Sequence, residues 1–346
     1  MTDIFNIPNS ANSVSVSIID STTMIKGVPP QAFMKPQYPG HDSLILPSYS
    51  FLIHNKRLDR TIIYDLAVRK DWETSSPPAL QQQLKLANIS VQKDIRDILE
   101  EGVISSFDHI RNPSRFEKNT KLIVGPGFKQ NLLPCYPTIR NSTINEKDLM
   151  GRDLYELEFS DTGPKVGRFP AFDYFGDGCF YSLDTPGHAV GHISGFARLR
   201  PSPQLPLPDC IVPNPLLLGR TPAPPCPGAI FEALLADKGR DKPFYCPAGP
   251  IHHDQEETRR TIVKFQEAGG RDDIFVVLAH DEVLLDVVDF FPNTANDFLN
   301  KGWVQKSRWL FLRDLARPAG YAGGSSFRRG KGRADEMGCV LCRQLI

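Results

Sequence analysis

The sequence predicts an α/β protein, α+β in its layering, in which helices are laid on a sheet core. Three observations carry this. Ser13-Val14-Ser15-Val16-Ser17-Ile18 alternates polar and apolar residues with the period of two of a half-buried strand. Val91, Ile95, Ile98 and Leu99 recur at the spacing of one helix face. An apolar run from Ile274 to Leu278 reads as a buried strand directly after a helical stretch. Strands and helices that alternate in this way build layered sheet cores.

The elements follow in chain order. Tyr49 to Ile53 and Thr61 to Tyr64 are two further strands, and the second ends at Asp65. Asp65 is read as a turn or capping residue, with a carboxylate that anchors a loop near a site as the other reading. Ser90 is placed as the N-cap of the first helix, and Gly102 ends it. Cys179 to Leu183 forms a strand after the Asp177-Gly178 turn. His192 to Leu199 forms the strand after the Pro186-Gly187 turn, with His188 in the connection. From Pro201 to Pro227 the prolines come mostly every two or three residues. Missing N–H donors and fixed φ angles exclude central strands and long helices there, which leaves an extended surface insertion. Asp254 and Glu257 make a capping box, Ile262 and Phe265 share a face, and Gly269-Gly270 stops the helix. The 274–278 run then delivers His280 and Asp281 to its C-terminal end, the edge where α/β proteins usually place their sites.

With 346 residues and 40% hydrophobic content, the chain is expected to form one main domain over residues 1–317. Residues 318–346 turn to Gly, Arg, Lys and Ser, too little apolar material for a core. An unstructured tail is expected; a basic arm that touches an acidic partner is the other reading. Forty basic residues balance forty acidic ones, so no overall field draws the protein to nucleic acid or to an anionic membrane. A small neutral molecule is the more natural partner. MTDIFNIPNSANS has neither a basic start nor an apolar run, and no segment approaches the roughly 20 apolar residues that span a bilayer. We expect a soluble, cytoplasmic protein. The seven cysteines are mostly scattered and are read as reduced thiols. Cys339 and Cys342 form a C-x-x-C pair that, without a second pair, is read as two thiols in the tail.

The residues that carry chemistry lie in three short stretches: Phe107-Asp108-His109, Thr185-Pro186-Gly187-His188 and Ala279-His280-Asp281. Zinc takes imidazole nitrogen with carboxylate support, from ligands that converge on separate loops and leave a position open for water. A single histidine is more often a hydrogen-bonded structural residue. Three histidine loops in fixed order, each after a strand-like run, have the arrangement of a binuclear metal-hydrolase site.

At these residues the chain resembles the metallo-β-lactamase superfamily, in particular a fungal branch of lactonase-like and lactamase-like hydrolases. The stretches that carry the resemblance are FDHI at 107–110 with NPSRF after it, GDGCFYSLDTPGHAVGHISGFARL at 176–199, GPIHHDQEET at 249–258 and FVVLAHDEVLLDVVDFFP at 275–292. The resemblance implies an αββα sandwich. It also implies two zinc ions in the intact family, and zinc-hydroxide opening of a lactam or lactone ring in a toxin or xenobiotic. Carried over residue by residue, Asp108, His109, His188 and His280 match metal ligands, and Asp108 is also placed in catalysis. His192 and His252-His253 belong to the same motifs and are expected to be structural or to stand behind the ligands.

The chain also departs from the family pattern. Ile104 and Ser106 stand where the first two histidines of H-x-H-x-D-H belong, and neither offers an imidazole. Only Val103 to Phe107 separate the helix-stopping Gly102 from Asp108, too few for a strand and a ligand loop. After Leu199 the chain passes directly into the proline-rich insertion, where the family has a strand and a bridging aspartate; Asp209, in a proline-rich setting, is not taken for it. We therefore expect a sandwich incomplete at two strands, with one zinc or none and with hydrolase activity reduced or lost. The alternative is an inactive homologue that binds a small ligand.

Overall fold

The computed structural model describes residues 5–102, 120–201, 234, 243–308, 310–311, 314–315 and 317–320. Twelve strands are described: β1 (Ser15–Val28), β2 (Met34–Lys35), β3 (Leu44–Asn55), β4 (Arg60–Tyr64), β5 (Asn88–Val91), β6 (Leu122–Val124), β7 (Leu154–Glu156), β8 (Lys165–Val166), β9 (Phe169–Asp173), β10 (Phe180–Asp184), β11 (Ile193–Ala197) and β12 (Cys246–Pro247). The helices are α1 (Trp72–Ser75), α2 (Pro78–Leu84), α3 (Ile95–Glu101), α4 (Phe128–Leu132), α5 (Glu146–Leu149), α6 (Gln255–Gly269) and α7 (Trp303–Ser307).

Two antiparallel sheets form the body. The first has the order β4-β3-β1-β5 and the second β11-β10-β9-β8. Alternation along the strands sets the layers. Ile19, Leu52 and Ile63 turn to one side of the first sheet and pack on Ile95 and Leu99 of α3. From its other side Val16, Ile53 and Ile62 meet Cys179 and Phe180 of the second sheet's region. Tyr181 and Leu183 point the opposite way and, with Val166 and Phe169, pack on Phe265 and Ala268 of α6. The order is helix, sheet, sheet, helix, as the sequence led us to expect. Each fully buried Leu, Ile or Phe in these layers contributes about 1.5–3 kcal/mol relative to exposure.

Two expected elements need correction. Ser90 is not a helix cap: Asn88–Val91 is β5, paired with β1 from Lys26↔Asn88 to Thr23↔Val91. The helix begins at Asp94, where a capping box with Asp97 satisfies first-turn N–H groups. Sheet pairing has captured the first turn of the periodic run, and Val91 belongs to the strand. The second correction is the 274–278 run, which has the side-chain alternation of a strand without joining a ladder among the described residues. Phe275 and Val277 pack on the cluster around Tyr49 and Trp303, whereas Ile274 and Val276 pack on that around Phe169. Apolar alternation fixes which way the side chains face, but a ladder also needs a neighbouring strand in register.

The other elements stand close to where the sequence puts them. β3, β4, β10 and β11 contain or overlap the expected runs, and α6 starts at Asp254, whose carboxylate accepts from the Glu257 N–H at 2.9 Å. Asp65 sits at φ +62° and its Oδ1 accepts from the N–H groups of Leu66 and Ala67, so it is a turn residue. No helix among the described residues is long and apolar enough to cross a membrane. Residues 103–119, which include Ile104, Ser106, Asp108 and His109, lie outside the described residues, as do 202–227 of the insertion and 321–346 of the tail.

Candidate functional site

The TPGH loop leaves β10 at Asp184, whose carboxyl is pushed up by burial against the opposing pull of Lys264. Thr185, fully buried, holds the loop from inside: its hydroxyl lies 3.0 Å from Ser194 Oγ on β11, and its carbonyl accepts from His192 Nδ1 at 2.7 Å. The loop then presses on the start of α6. Gly187 has φ +117°, and a β-carbon there would come within 2.2 Å of the Thr258 nitrogen. Only glycine tolerates both the backbone angle and the approach. Thr261 Oγ1 donates to the Pro186 carbonyl at 2.8 Å, the Asp254 N–H to the Gly187 carbonyl at 2.8 Å, and the His253 N–H to the His188 carbonyl at 3.0 Å. Thus GPIHHD and TPGH, far apart in sequence, form one rigid corner.

His188 projects from that corner, its Nδ1 3.2 Å from Nδ1 of His252. His252 is buried, and its Nε2 donates to the Phe33 carbonyl at 2.8 Å. The His188 ring lies edge-on to His252, centroids 5.3 Å apart, and to His192, 5.5 Å apart.

The AHD loop is held from β3. The Tyr49 N–H donates to the Ala279 carbonyl at 3.0 Å, the Tyr49 hydroxyl to the Asp281 carbonyl at 2.8 Å, and His280 Nδ1 to the Pro47 carbonyl at 2.8 Å. The Asp281 carboxylate turns away to cap the short helix at Glu282–Asp286, accepting from the Val283 N–H. His280 itself is exposed at the end of its loop. A carbonyl can only accept, so the Pro47 contact puts the proton of neutral His280 on Nδ1 and the lone pair on Nε2.

No family model matches the chain. It is 39% identical to the gamma-lactamase FDB1 of Fusarium pseudograminearum, over 89% of this chain and 84% of that one. It is 33% identical to the metallo-hydrolase mfmC of Annulohypoxylon moriforme, over 89% of each. The chain belongs to the metallo-β-lactamase superfamily, in its fungal branch. Its fold matches a solved metallo-β-lactamase-fold structure, a quorum-quenching N-acyl homoserine lactone hydrolase, with a TM-score of 0.50 at 14% identity, covering 82% of this chain and 99% of that one.

The superfamily is metal-dependent, and the two described candidate ligands suit that role in part. Metal-binding histidines characteristically give their second ring N–H to a carbonyl or another acceptor, as His280 does. Among the described residues, however, no three His, Cys, Asp or Glu side chains are grouped to hold a metal. The structure sets His188 and His280 each in its own tether and does not bring them into such a group. Sequence reasoning sets His252 down as structural or as standing behind the ligands, and the structure puts it against His188; Thr185 and Pro47 carry no such expectation. The GPIHHD motif gave the only signal, for His252; nothing in a sequence marks a carbonyl that accepts from a histidine 233 residues away.

Proposed function

We propose that the protein is a zinc-dependent hydrolase of cytoplasmic location that opens the ring of a lactam or lactone, in a toxin or other foreign compound. The observation that carries this reading is the tethering of two histidines on separate loops. His280 is oriented through Nδ1 by Pro47, and His188 is engaged through Nδ1 by His252. Metal-ligating imidazoles characteristically carry such a tether on the ring nitrogen that does not meet the metal. The reading gains support from the gamma-lactamase relative.

His188 and His280, with Asp108 and His109, are the residues that would hold the metal, and Ile104 and Ser106 limit the complement to at most one zinc. Bound zinc supplies a Lewis acid for the ring carbonyl and brings the pKa of water down to about 7. The chain's own contribution is position. Thr185, Gly187 and α6 fix the His188 loop, Tyr49 and Pro47 fix the His280 loop, and Asp108 is assigned to orient the attacking water. Held geometry of this kind keeps reacting groups from having to find one another during turnover.

The second reading is an inactive relative that binds a small ligand in the same place. Ile104 and Ser106 favour it, because the first two histidines of the family motif are absent. One experiment separates the two. Purified protein is incubated with a panel of γ-lactams and γ-lactones, first as isolated, then after chelation, then after zinc is returned. A hydrolase loses turnover on chelation and regains it with zinc. A binding protein shows no turnover in any state, and a ligand from the panel raises its melting temperature.

A further inference from the structure

We propose that His252 is a positioning residue that fixes the tautomer of His188, so that His188 presents its lone pair on Nε2. This rests on the reading of His188 as a metal ligand, but its structural content stands on hydrogen-bond logic. The Phe33 carbonyl can only accept, so the 2.8 Å contact requires a proton on His252 Nε2. In the neutral imidazole, His252 Nδ1 is then an acceptor. It lies 3.2 Å from His188 Nδ1, which must therefore donate. The lone pair of His188 is left on Nε2, the state of a histidine prepared for a metal or for another donor.

The surroundings hold this chain of bonds in one direction. The Phe33 carbonyl also accepts the Ala248 N–H at 2.8 Å, which uses its second lone pair and ties it to the segment that carries His252. Gly249 passes so close to β2's approach that a β-carbon there would lie 2.2 Å from the Ala32 oxygen. On the other side, the bonds from His253 N–H to His188 O and from Asp254 N–H to Gly187 O fix the two histidine backbones relative to each other. His252 is 8% exposed, with its ring edge-on to Phe33 at 6.5 Å and to His188 at 5.3 Å. A buried ring with both nitrogens committed has little freedom to flip.

The test is tautomer-sensitive nitrogen NMR on the full chain with labelled histidine, stripped of metal, above about pH 8 where imidazoles are neutral. Three proteins are compared: wild type, His252→Phe and His252→Gln. In wild type, His188 is expected to show a protonated Nδ1 and a bare Nε2. His252→Phe removes the acceptor, and the His188 signals shift toward the opposite tautomer. In His252→Gln the amide oxygen accepts from His188 while the amide nitrogen donates to Phe33, and the wild-type pattern returns. Zinc affinity, measured by competition with a coloured chelator, falls about 10–100-fold in His252→Phe and recovers in His252→Gln.

A bare Nδ1 on wild-type His188 overturns the proposal outright, and that measurement does not depend on any variant folding. A folded His252→Phe with an unchanged His188 tautomer overturns it as well. If the tautomer behaves as expected while wild type shows neither zinc binding nor turnover, the hydrolase reading fails and the positioning role stands.

Discussion

Gly187 and Thr258 touch backbone to backbone, with room for a hydrogen but not for a methyl: a β-carbon on Gly187 would lie 2.2 Å from the Thr258 nitrogen. This contact seats the TPGH loop on the first turn of α6. Gly187→Ala meets two obstacles at once, a φ of +117° that L residues rarely adopt and a collision with helix backbone that has no flexible end to yield. We expect a loss of about 3 kcal/mol or more in urea unfolding. A variant as stable as wild type would show that the loop does not rest on α6 in this way.

Asp94, rather than Ser90, starts α3. Asp94→Ala removes the capping box and the bond that its Oδ1 accepts from the Lys70 N–H at 3.0 Å. The expected cost is about 1–2 kcal/mol. Ser90→Ala, on an exposed position of β5, should change stability by less than about 0.5 kcal/mol. Equal effects of the two substitutions would put the helix start back at Ser90.

These two positions show where sequence reasoning holds and where it stops. The apolar spacing of Ile95, Ile98 and Leu99 located the helix because those residues face the sheet wherever the helix begins. The start was misplaced because Ser90 and Asp94 are both competent caps, and the choice between them was made by β1, whose C-terminal half pairs with Asn88–Val91. In the same way Ile274 to Leu278 declared its alternation, but strand status depends on a neighbour. At the site, the histidines of TPGH and AHD were legible as residue types on loops. His252, the partner of His188, was legible from its motif; the Pro47 carbonyl that holds His280 and the Phe33 carbonyl behind His252 were not, since a carbonyl carries no side-chain signature and is brought near only by the fold.

Tyr49 ties stability to alkaline pH. Its ring is fully buried against Phe290, and burial, with the carboxylates of Asp281, Asp20, Glu282 and Asp286 around it, pushes its hydroxyl well above the ordinary tyrosine value. The unfolded chain releases this proton near pH 10 while the folded protein retains it. The stability that Tyr49 contributes is therefore complete below pH 10 and is lost as pH rises toward the folded value, by up to about 1.4 kcal/mol per pH unit. Tyr49→Phe should cost about 1 kcal/mol at neutral pH, through the lost bond to the Asp281 carbonyl, and should flatten part of the decline above pH 10. Denaturation midpoints from pH 7 to 11 for the two proteins check both points; parallel curves would remove Tyr49 from the account.

Asp177 does the converse in acid. Burial works against its charge, but hydrogen bonds from Cys179, Arg57 and Asn55 win and hold its carboxyl down at about 2. Since the folded value is below the unfolded one, the stabilisation is present above about pH 4 and is lost as pH falls through 2. Arg57 is half exposed, so solvent screening limits the effect to about 1–2 kcal/mol. Asp177→Asn should lower stability at pH 7 by that amount and by much less at pH 2. A constant difference between the two pH values would mean that the charge is not what Asp177 contributes.

His280 offers a cleaner separation of metal binding from folding than His188, because its side chain is exposed and two bonds from Tyr49 hold its loop besides the one from its own ring. His280→Ala gives up one hydrogen bond to the Pro47 carbonyl, at a surface position, and should cost about 1 kcal/mol or less. As a ligand it would matter far more. Zinc affinity by chelator competition should fall about 100-fold or more, beyond what the loss of an outer partner produces. Wild type should gain thermal stability as zinc is added, in proportion to the logarithm of the free metal above its dissociation constant, and His280→Ala should not at the same concentrations. If both proteins respond to zinc alike, His280 is not a ligand, and the metal is held by other residues. If neither responds, the tethered histidines serve a site that binds its ligand without metal, and the search moves from turnover to affinity.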